Sequence, residues 1–297
     1  MKQFVRYMDS YVDNKQLGQL EGLVNTVIPG VKFYRSGRSR PREPLVYESG
    51  IVVIGQGIKN IYLGEHKMTY GQGDFVVFGV PLPLECESEA EDNKPIMGLK
   101  IDIAPKQLHS IINHIDQYDS EIIAPLSRSC LGMNCMSMSD PLEDAFSRLM
   151  QVLQHDSEAE FLGEDIVKEI IYRVLKGPMG HILYERANTE GNYAKLAKVL
   201  DRLHSDYASP LTVDELAAEA FMSVPAFHRV FKQVTTESPL QYLKKVRLSK
   251  ARDLIMLDGC RASEAARIVG YNSASQFSRE FKRHFNYSPG ATQAHAV

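Results

Sequence analysis

What this sequence lacks narrows it first. Its four cysteines, Cys86, Cys130, Cys135 and Cys260, are too few and too scattered for a disulfide framework. No uncharged apolar run approaches the roughly 18–20 residues that cross a bilayer, so no membrane partner is expected. The segment Met1 to Asp13 carries Lys2, Arg6, Asp9 and Asp13 and no apolar signal core, which points to a cytoplasmic chain. Charge of one sign is also missing: 34 Lys/Arg stand against 37 Asp/Glu, which excludes a histone-like polybasic binder. No His-Glu-x-x-His, phosphate-binding loop or nucleophile-elbow pattern occurs. Metal ligands are sparse. His66 falls in a turn, and His109 and His114 lie about 140° apart on a helix, so they share no face. Cys130 and Cys135 lack the other ligands of a closed tetrahedral zinc site. No catalytic residue, metal or cofactor is expected.

What is present is unevenly spread. The 297 residues suffice for about two domains. Residues 191–297 hold 15 Lys/Arg against 10 Asp/Glu, a net of +5, and residues 1–190 carry a net of −8. An acidic module joined to a basic one suggests that the second meets a polyanion.

The basic third repeats itself. A shift of 50 residues aligns Asp214 with Glu264, Phe221 with Tyr271, Ser223 with Ser273 and Phe227 with Phe277. It also aligns Arg229 with Arg279, Phe231-Lys232 with Phe281-Lys282, and Ser238-Pro239 with Ser288-Pro289. Two copies of one supersecondary unit are expected, each a helix, a sharp turn and a second helix. Thr212 with Glu215, and Ser273 with Gln276, have capping-box spacing. Ser223 can cap the second helix of the first copy, where Pro225 is tolerated in the first turn.

The second helices divide their faces. Phe227 and Phe231, and likewise Phe277, Phe281 and Phe285, recur every four residues and predict a buried stripe. Another face carries Pro225, His228, Arg229 and Lys232 in one copy, and Ala274, Ser275, Ser278, Arg279 and Lys282 in the other. That division suits a helix lying in the major groove of double-stranded DNA. Arginine pairs with guanine edges there, and lysine suits phosphate. Ser238-Pro239 opens a long basic helix running to about Leu257, a stiff spacer between the two readers. Two elements on one DNA face should lie about 34 Å apart, one helical turn.

The run Met222-Ser223, Phe227-His-Arg229-Val-Phe231-Lys232, Ser238-Pro239-Leu-Gln-Tyr242, Gly270-Tyr271, Ser275-Gln276-Phe277-Ser278-Arg279-Glu-Phe281-Lys282 and Ser288-Pro289 strongly resembles the AraC/XylS family of bacterial transcription regulators. The resemblance covers roughly residues 195–290. It implies a seven-helix DNA-binding domain that usually contacts RNA polymerase to activate transcription. By position, His228, Arg229, Ser275 and Arg279 resemble the base-reading residues of the family. Pro225 and Ala274 stand where longer side chains often read bases. Thr236 departs from the pattern, since the family usually has Gly before the Ser-Pro step.

The first half reads as strands. Ile51–Ile54, Asn60–Leu63, Lys67–Tyr70, Phe75–Phe78, Leu84–Cys86 and Met97–Ile103 are short apolar or alternating runs parted by turn signals. They predict a small barrel or double-sheet jelly roll. Helical periodicity begins at Pro105 and is interrupted by a loop-like stretch from Leu126 to Ser139. Pro141–His155 and Glu164–Lys176 then predict a helical pair, followed by a connector over Gly177–Gly191. Pro44-Leu-Val-Tyr47-Glu, Pro81-Leu-Pro83 and Glu169-Ile-Ile-Tyr172 resemble the cupin-like sensor domain of one AraC subgroup. That resemblance implies an unknown small-molecule effector and a homodimer. The segment around Cys86 also resembles YqhC-type regulators, which are associated with aldehyde stress. Cys86 is thus a candidate electrophile sensor, although cysteine commonly serves as a small buried hydrophobe. Glu85 and Glu87 flank it, but strand neighbours point to opposite faces. Tyr47, Tyr62 and Phe78 are candidate effector-pocket residues, with plain core as the competing reading.

The resulting expectation is an α+β chain. Residues 1–190 form a cupin-like β-barrel with a helical dimerisation segment. Residues 191–297 form an all-α domain of two helix-turn-helix units joined by a long helix. Together they are expected to make a non-enzymatic, effector-responsive activator. Two alternatives stay open: a cupin enzyme with a DNA-binding appendage, which bound metal would mark, and an architectural DNA protein without a sensor, which would bind target and random DNA equally.

Overall fold

Short apolar strands with period-2 burial need two faces to cover, and this chain covers both. The computed structural model describes residues 1–90, 94–118, 131–188 and 191–295. An opening helix, α1 (Lys2–Asn14), leads into β1 (Gly22–Asn25), β2 (Val31–Ser36), β3 (Arg40–Tyr47), β4 (Gly50–Gln56), β5 (Ile58–Leu63), β6 (His66–Tyr70), β7 (Asp74–Phe78), β8 (Leu82–Glu89) and β9 (Ile96–Ile101). Then come α2 (Pro105–Tyr118), β10 (Met133–Ser137), α3 (Asp140–Val152), α4 (Asp156–Lys176) and α5 (Gly180–Ala187). A six-stranded antiparallel sheet has the order β1-β2-β9-β4-β7-β10, and a four-stranded one the order β3-β8-β5-β6.

Alternation along the larger sheet assigns its faces. Ile51, Val53, Phe75, Val77, Leu99 and Ile101 pack with Phe4, Met8, Phe146 and Ile170 of the helices in one core. Their neighbours Val52, Ile54, Val76 and Phe78 turn the other way, toward Ile61, Leu63, Leu82 and Leu84 of the smaller sheet. The expected double-sheet architecture is thus present, with a helical layer on one side.

Three local expectations need correction. β10 lies inside the stretch read as a loop; Asn134 is exposed and Cys135 and Met136 are only partly buried, so it gave little apolar signal. The part of that stretch over residues 126–130, including Cys130, lies outside the described residues. The supposed connector after Lys176 contains α5, which buries Ile182 and Leu183 although Gly177 and Pro178 precede it. The segment Met1 to Asp13, read only for targeting signals, folds as α1 and buries Phe4, Met8 and Tyr11.

The remaining elements are helical: α6 (Asn192–Ser205), α7 (Val213–Glu219), α8 (Val224–Thr235), α9 (Pro239–Met256), α10 (Ala262–Ile268), α11 (Ala274–Phe285) and a closing 3₁₀ segment over Pro289–His295. The inter-sheet core does not stop at the barrel. Phe227, Phe231, Tyr242 and Val246 of α8 and α9 belong to the same apolar cluster as Phe78 and Leu82. The second unit has its own cluster of Leu248, Ala251, Ile255, Phe277, Phe281 and Phe285.

Candidate nucleic-acid interface and effector cavity

Each helix-turn-helix unit is built from recognisable local chemistry. Thr212 and Glu215 form a complete capping box at the start of α7. Ser273 caps α11 by accepting from the Gln276 amide, while the Gln276 side chain turns outward to Glu280. Ser223 and Ser238 stand at helix N-termini without a side-chain cap, and a proline follows each within the first turn.

The repeat is offset between its two halves. α8 and α11 correspond at a shift of 50 residues, but the turns before them correspond at 49. Met222 N–H bonds to Ala217 as Tyr271 N–H bonds to Ala266. The left-handed residue of the turn is therefore Phe221 (φ +53°) in the first unit and Gly270 (φ +83°) in the second. Phe221 and Tyr271 are not equivalent: Phe221 is exposed, and Tyr271 stacks edge-on against Phe277 at 5.3 Å. A Cβ on Gly270 would lie 2.3 Å from the Ala208 carbonyl oxygen, so the second turn admits only glycine.

The aromatic stripes are fully buried. Phe227 stands 5.5 Å from Phe231, which meets Tyr242 edge-on at 5.3 Å, and Phe277 stands 5.4 Å from Phe281. The opposite faces are exposed and hold Pro225, His228, Arg229 and Lys232 on α8 and Ala274, Ser275, Ser278, Arg279 and Lys282 on α11. Among the described residues, Arg229, Lys232, Arg279 and Lys282 make no ion pair and no side-chain hydrogen bond. Some other cations of this half are engaged, although among the described residues Lys195, Lys198, Arg261, Arg267 and Arg283 are not. Lys244 pairs with Glu280, Lys245 with Glu237 and Arg202 with Glu219, and Arg247 donates to the Tyr207 and Ser209 carbonyls. The two recognition faces therefore keep their cations free for an outside anion.

The first unit is welded to the barrel. The buried Tyr242 hydroxyl donates to the Pro81 carbonyl at 2.7 Å. Its single proton is then spent, so His204 Nε2–H donates to the same oxygen at 2.8 Å. His204 Nδ1 is left buried without a partner. Burial, with Lys250 nearby, pushes the His204 pKa down to about 4. Gly132 N–H donates to the Val234 carbonyl, and Arg252 donates to the Pro44 carbonyl at 3.0 Å. Thr236 ends α8 in the left-handed region (φ +64°), with its side chain against the Gly64 turn between β5 and β6.

A cavity of about 470 Å³ opens between the sheets and α9. Tyr34, Leu45, Tyr47 and Val52 give it apolar walls, Lys32, Lys59 and Lys100 line the sheet side, and Arg252 and Asp253 line the α9 side. Lys59 and Lys100 are buried. Lys100 pairs with Asp102 and reaches Glu48 at 3.6 Å, whereas Lys59 holds its ammonium over the Tyr34 ring at 3.4 Å with no described carboxylate on it. Of the candidate effector residues, Tyr47 lines this cavity, stacks on Phe78 at 4.7 Å, and brings its hydroxyl to 3.7 Å from Cys86 Sγ. Tyr62 faces outward, under the Arg42 guanidinium and donating to Glu87 at 2.9 Å. Glu85 and Glu87 do point away from Cys86, to Arg42 and to Tyr62. The cavity lysines and Arg252 escaped the sequence reading. Lys59 lies in an apolar β-run with no motif around it, and α9 reaches the cavity only through the tertiary fold.

Fold and site together define a two-part protein: a double-sheet module joined to paired helix-turn-helix units with free cationic faces. Residues 27–182 match the model of the AraC-type transcriptional regulator N-terminus, and residues 216–295 match a helix-turn-helix domain. The chain belongs to the AraC-type transcriptional regulators. It is 23% identical over 177 residues to the transcriptional regulator ArgR of Pseudomonas aeruginosa, covering 60% of this chain and 50% of that one. Over 102 residues it is 32% identical to the transcriptional activator RhaS of Escherichia coli, covering 34% of this chain and 37% of RhaS. The matched part thus spans half or less of these relatives. Among solved structures, unsaturated fatty acid-bound ToxT of Vibrio cholerae aligns with a TM-score of 0.59 at 14% identity, covering 87% of this chain and 92% of that one, a likeness of fold. No helix of the described residues is long and apolar enough to cross a membrane.

Proposed function

We propose that this chain is a sequence-specific, DNA-binding regulator of transcription. Residues 191–297 read two neighbouring DNA elements, and residues 1–190 sense a small molecule and pair two copies. The observation that carries this reading is the placement of free cations: Arg229 and Lys232 on the exposed face of α8 recur as Arg279 and Lys282 at the same positions on the exposed face of α11. Arg229 and Arg279 read bases, and Lys232 and Lys282 hold phosphates. RhaS is an activator by name, which supports activation here and, with it, contact with RNA polymerase. DNA as target puts the protein in the cytoplasm, acting without catalysis.

The effector occupies the cavity between the sheets and α9. Its apolar walls and the buried Lys59 suit an amphipathic carboxylate, and the fatty acid in ToxT supports that class. A second reading rests on the 3.7 Å approach of Tyr47 to Cys86, which favours capture of reactive aldehydes at the thiol. Genome-wide mapping of binding sites, with and without a long-chain carboxylate or an aldehyde, tests the whole. Discrete sites containing two short elements are expected. Equal affinity for target and random DNA would make the chain architectural, and a tightly bound metal in purified protein would favour an enzyme. Lys59→Met should abolish the carboxylate response and Cys86→Ser the aldehyde response, so the two variants separate the two ligands.

A further inference from the structure

The two helix-turn-helix units match position by position, so their charges can be compared site for site. α7 and α10 correspond at a shift of 49 residues, as the turn hydrogen bonds require, and α8 and α11 correspond at 50. In that alignment Arg261, Arg267 and Arg283 of the second unit stand where the first has Thr212, Ala218 and Gln233. All three arginines are exposed, and among the described residues none makes an ion pair or a side-chain hydrogen bond. Residues 261–286 hold five Lys/Arg against two Asp/Glu, whereas residues 212–236 hold two against three. The acids differ as well. Glu280 of the second unit is taken up by Tyr271 and Lys244, while Asp214 and Glu215 of the first stay exposed on α7.

We propose that the second unit is the electrostatic anchor of the protein on DNA, with Arg261, Arg267 and Arg283 each holding a backbone phosphate beside Lys282. In a helix-turn-helix the recognition helix enters the major groove, and the helix before it crosses the sugar-phosphate backbone. Arg261 and Arg267 stand at the two ends of α10, the crossing helix. Arg283 lies one turn beyond Arg279 on the same exposed face of α11. A guanidinium without a carboxylate is suited to phosphate, which it binds by charge-assisted hydrogen bonds. The first unit offers only Lys232 for that purpose and turns the acids of α7 toward the same backbone. It reads sequence and adds little charge. The grip that is blind to sequence therefore belongs to the unit whose core is separate from the barrel's. The unit that shares its core with the barrel depends on its base contacts. Such a protein can hold DNA through its second unit before the first has found its element.

This inference rests on the reading of the chain as a DNA-binding regulator, and the experiment separates the two. Full-length protein is titrated at several salt concentrations with duplexes carrying both elements, the first alone or the second alone. Each unit's element is the one where Arg229→Ala or Arg279→Ala relaxes sequence preference. On logarithmic axes, affinity should fall with salt at a slope of about 3.5 on the second-element duplex and about 1 on the first. Arg261→Ala, Arg267→Ala and Arg283→Ala should each make the slope shallower by about 1, and weaken operator and scrambled DNA alike by roughly eight-fold at about 0.1 M salt. The triple Arg→Lys variant should keep slope and affinity near wild type, which separates loss of charge from loss of fold. Conversely, A218R/Q233R should steepen the first-element slope by about 2. Equal slopes on the two single-element duplexes, or alanine variants that leave the slope unchanged, would overturn the anchor and leave DNA binding intact. An arginine whose loss relaxes preference at one base pair would be a base reader, which overturns its phosphate role. A protein that binds none of the duplexes would overturn both readings.

Discussion

The two helix-turn-helix units descend from one pattern and are held in opposite ways. In the first, Phe227 and Phe231 are buried in a core that continues through Tyr242 into Phe78 and Leu82 of the barrel. In the second, Phe277, Phe281 and Phe285 close on α9 and α10 in a cluster separate from the barrel's. The first unit thus shares its core with the double-sheet half, while the second packs on α9, an 18-residue helix of about 27 Å, and meets the barrel where α11 touches β3. Because Arg252 and Asp253 of α9 also line the cavity, a ligand there bears directly on the element that spaces the two readers.

Core truncation should break the comparison most visibly. Phe231→Ala and Phe281→Ala each delete a fully buried ring and should each cost about 3–5 kcal/mol. The locations of the damage should differ. Hydrogen exchange should show Phe231→Ala loosening α8 together with the barrel strands, and Phe281→Ala loosening α10 and α11 while the barrel stays protected. Barrel protection that falls equally in both variants would mean the cores are one cooperative unit.

On DNA the two units should act independently. Arg229→Ala and Arg279→Ala should each cost about 1–3 kcal/mol and relax sequence preference at one element only. Lys232→Ala should weaken operator and scrambled DNA alike and make the salt slope shallower by about 1. Titrations at several salt concentrations distinguish the two behaviours. If Arg229→Ala weakens both DNAs equally, Arg229 is a phosphate contact.

Much of this division was legible in the sequence, for definite reasons. The 50-residue repeat placed Phe227 and Phe277, and Arg229 and Arg279, on opposite helix faces because helical period fixes orientation without tertiary help. Strand runs such as Ile51–Ile54 and Phe75–Phe78 were legible because sheet burial concentrates apolar residues locally. Long-range facts were not. Nothing about Tyr242 announced that its hydroxyl reaches Pro81, 161 residues away in sequence. The 49-residue offset of the turns was hidden because side-chain identity aligned Phe221 with Tyr271, while backbone hydrogen bonds align it with Gly270.

Acid should loosen both units, by different contacts. Burial pushes His204 and His284 down to about 4, His204 at the seam with the barrel and His284 on α11 beside Lys245 and Arg252. In the unfolded chain each titrates near 6.5, so below that pH the unfolded state takes up protons that the folded state refuses. Their contribution is complete above about pH 6.5, declines as pH falls toward 4, and changes no further below. The full loss should be on the order of 3 kcal/mol for each histidine. Urea midpoints at pH 7 and pH 5 should converge in His204→Gln relative to wild type, because glutamine can still donate to Tyr242 and cannot titrate. An unchanged gap would remove His204 from the acid response.

The smallest expected effect concerns how each recognition helix ends. Asn286 closes α11 at φ +65° and Thr236 closes α8 at φ +64°. Asparagine visits the left-handed region readily, but a β-branched residue there is strained. Thr236 also buries its hydroxyl without a hydrogen-bond partner, against the Gly64 turn of the barrel. Thr236→Gly removes the strain and the unsatisfied oxygen together, at the cost of some packing and of added freedom in the unfolded chain. The balance should favour the variant by about 0.5 kcal/mol, read as a small rise in the thermal midpoint of the barrel and first unit. DNA affinity should stay unchanged, since Thr236 lies off the exposed face of α8. A destabilised Thr236→Gly would instead make the Thr236–Gly64 contact a holding point between the halves, outweighing the strain needed to form it.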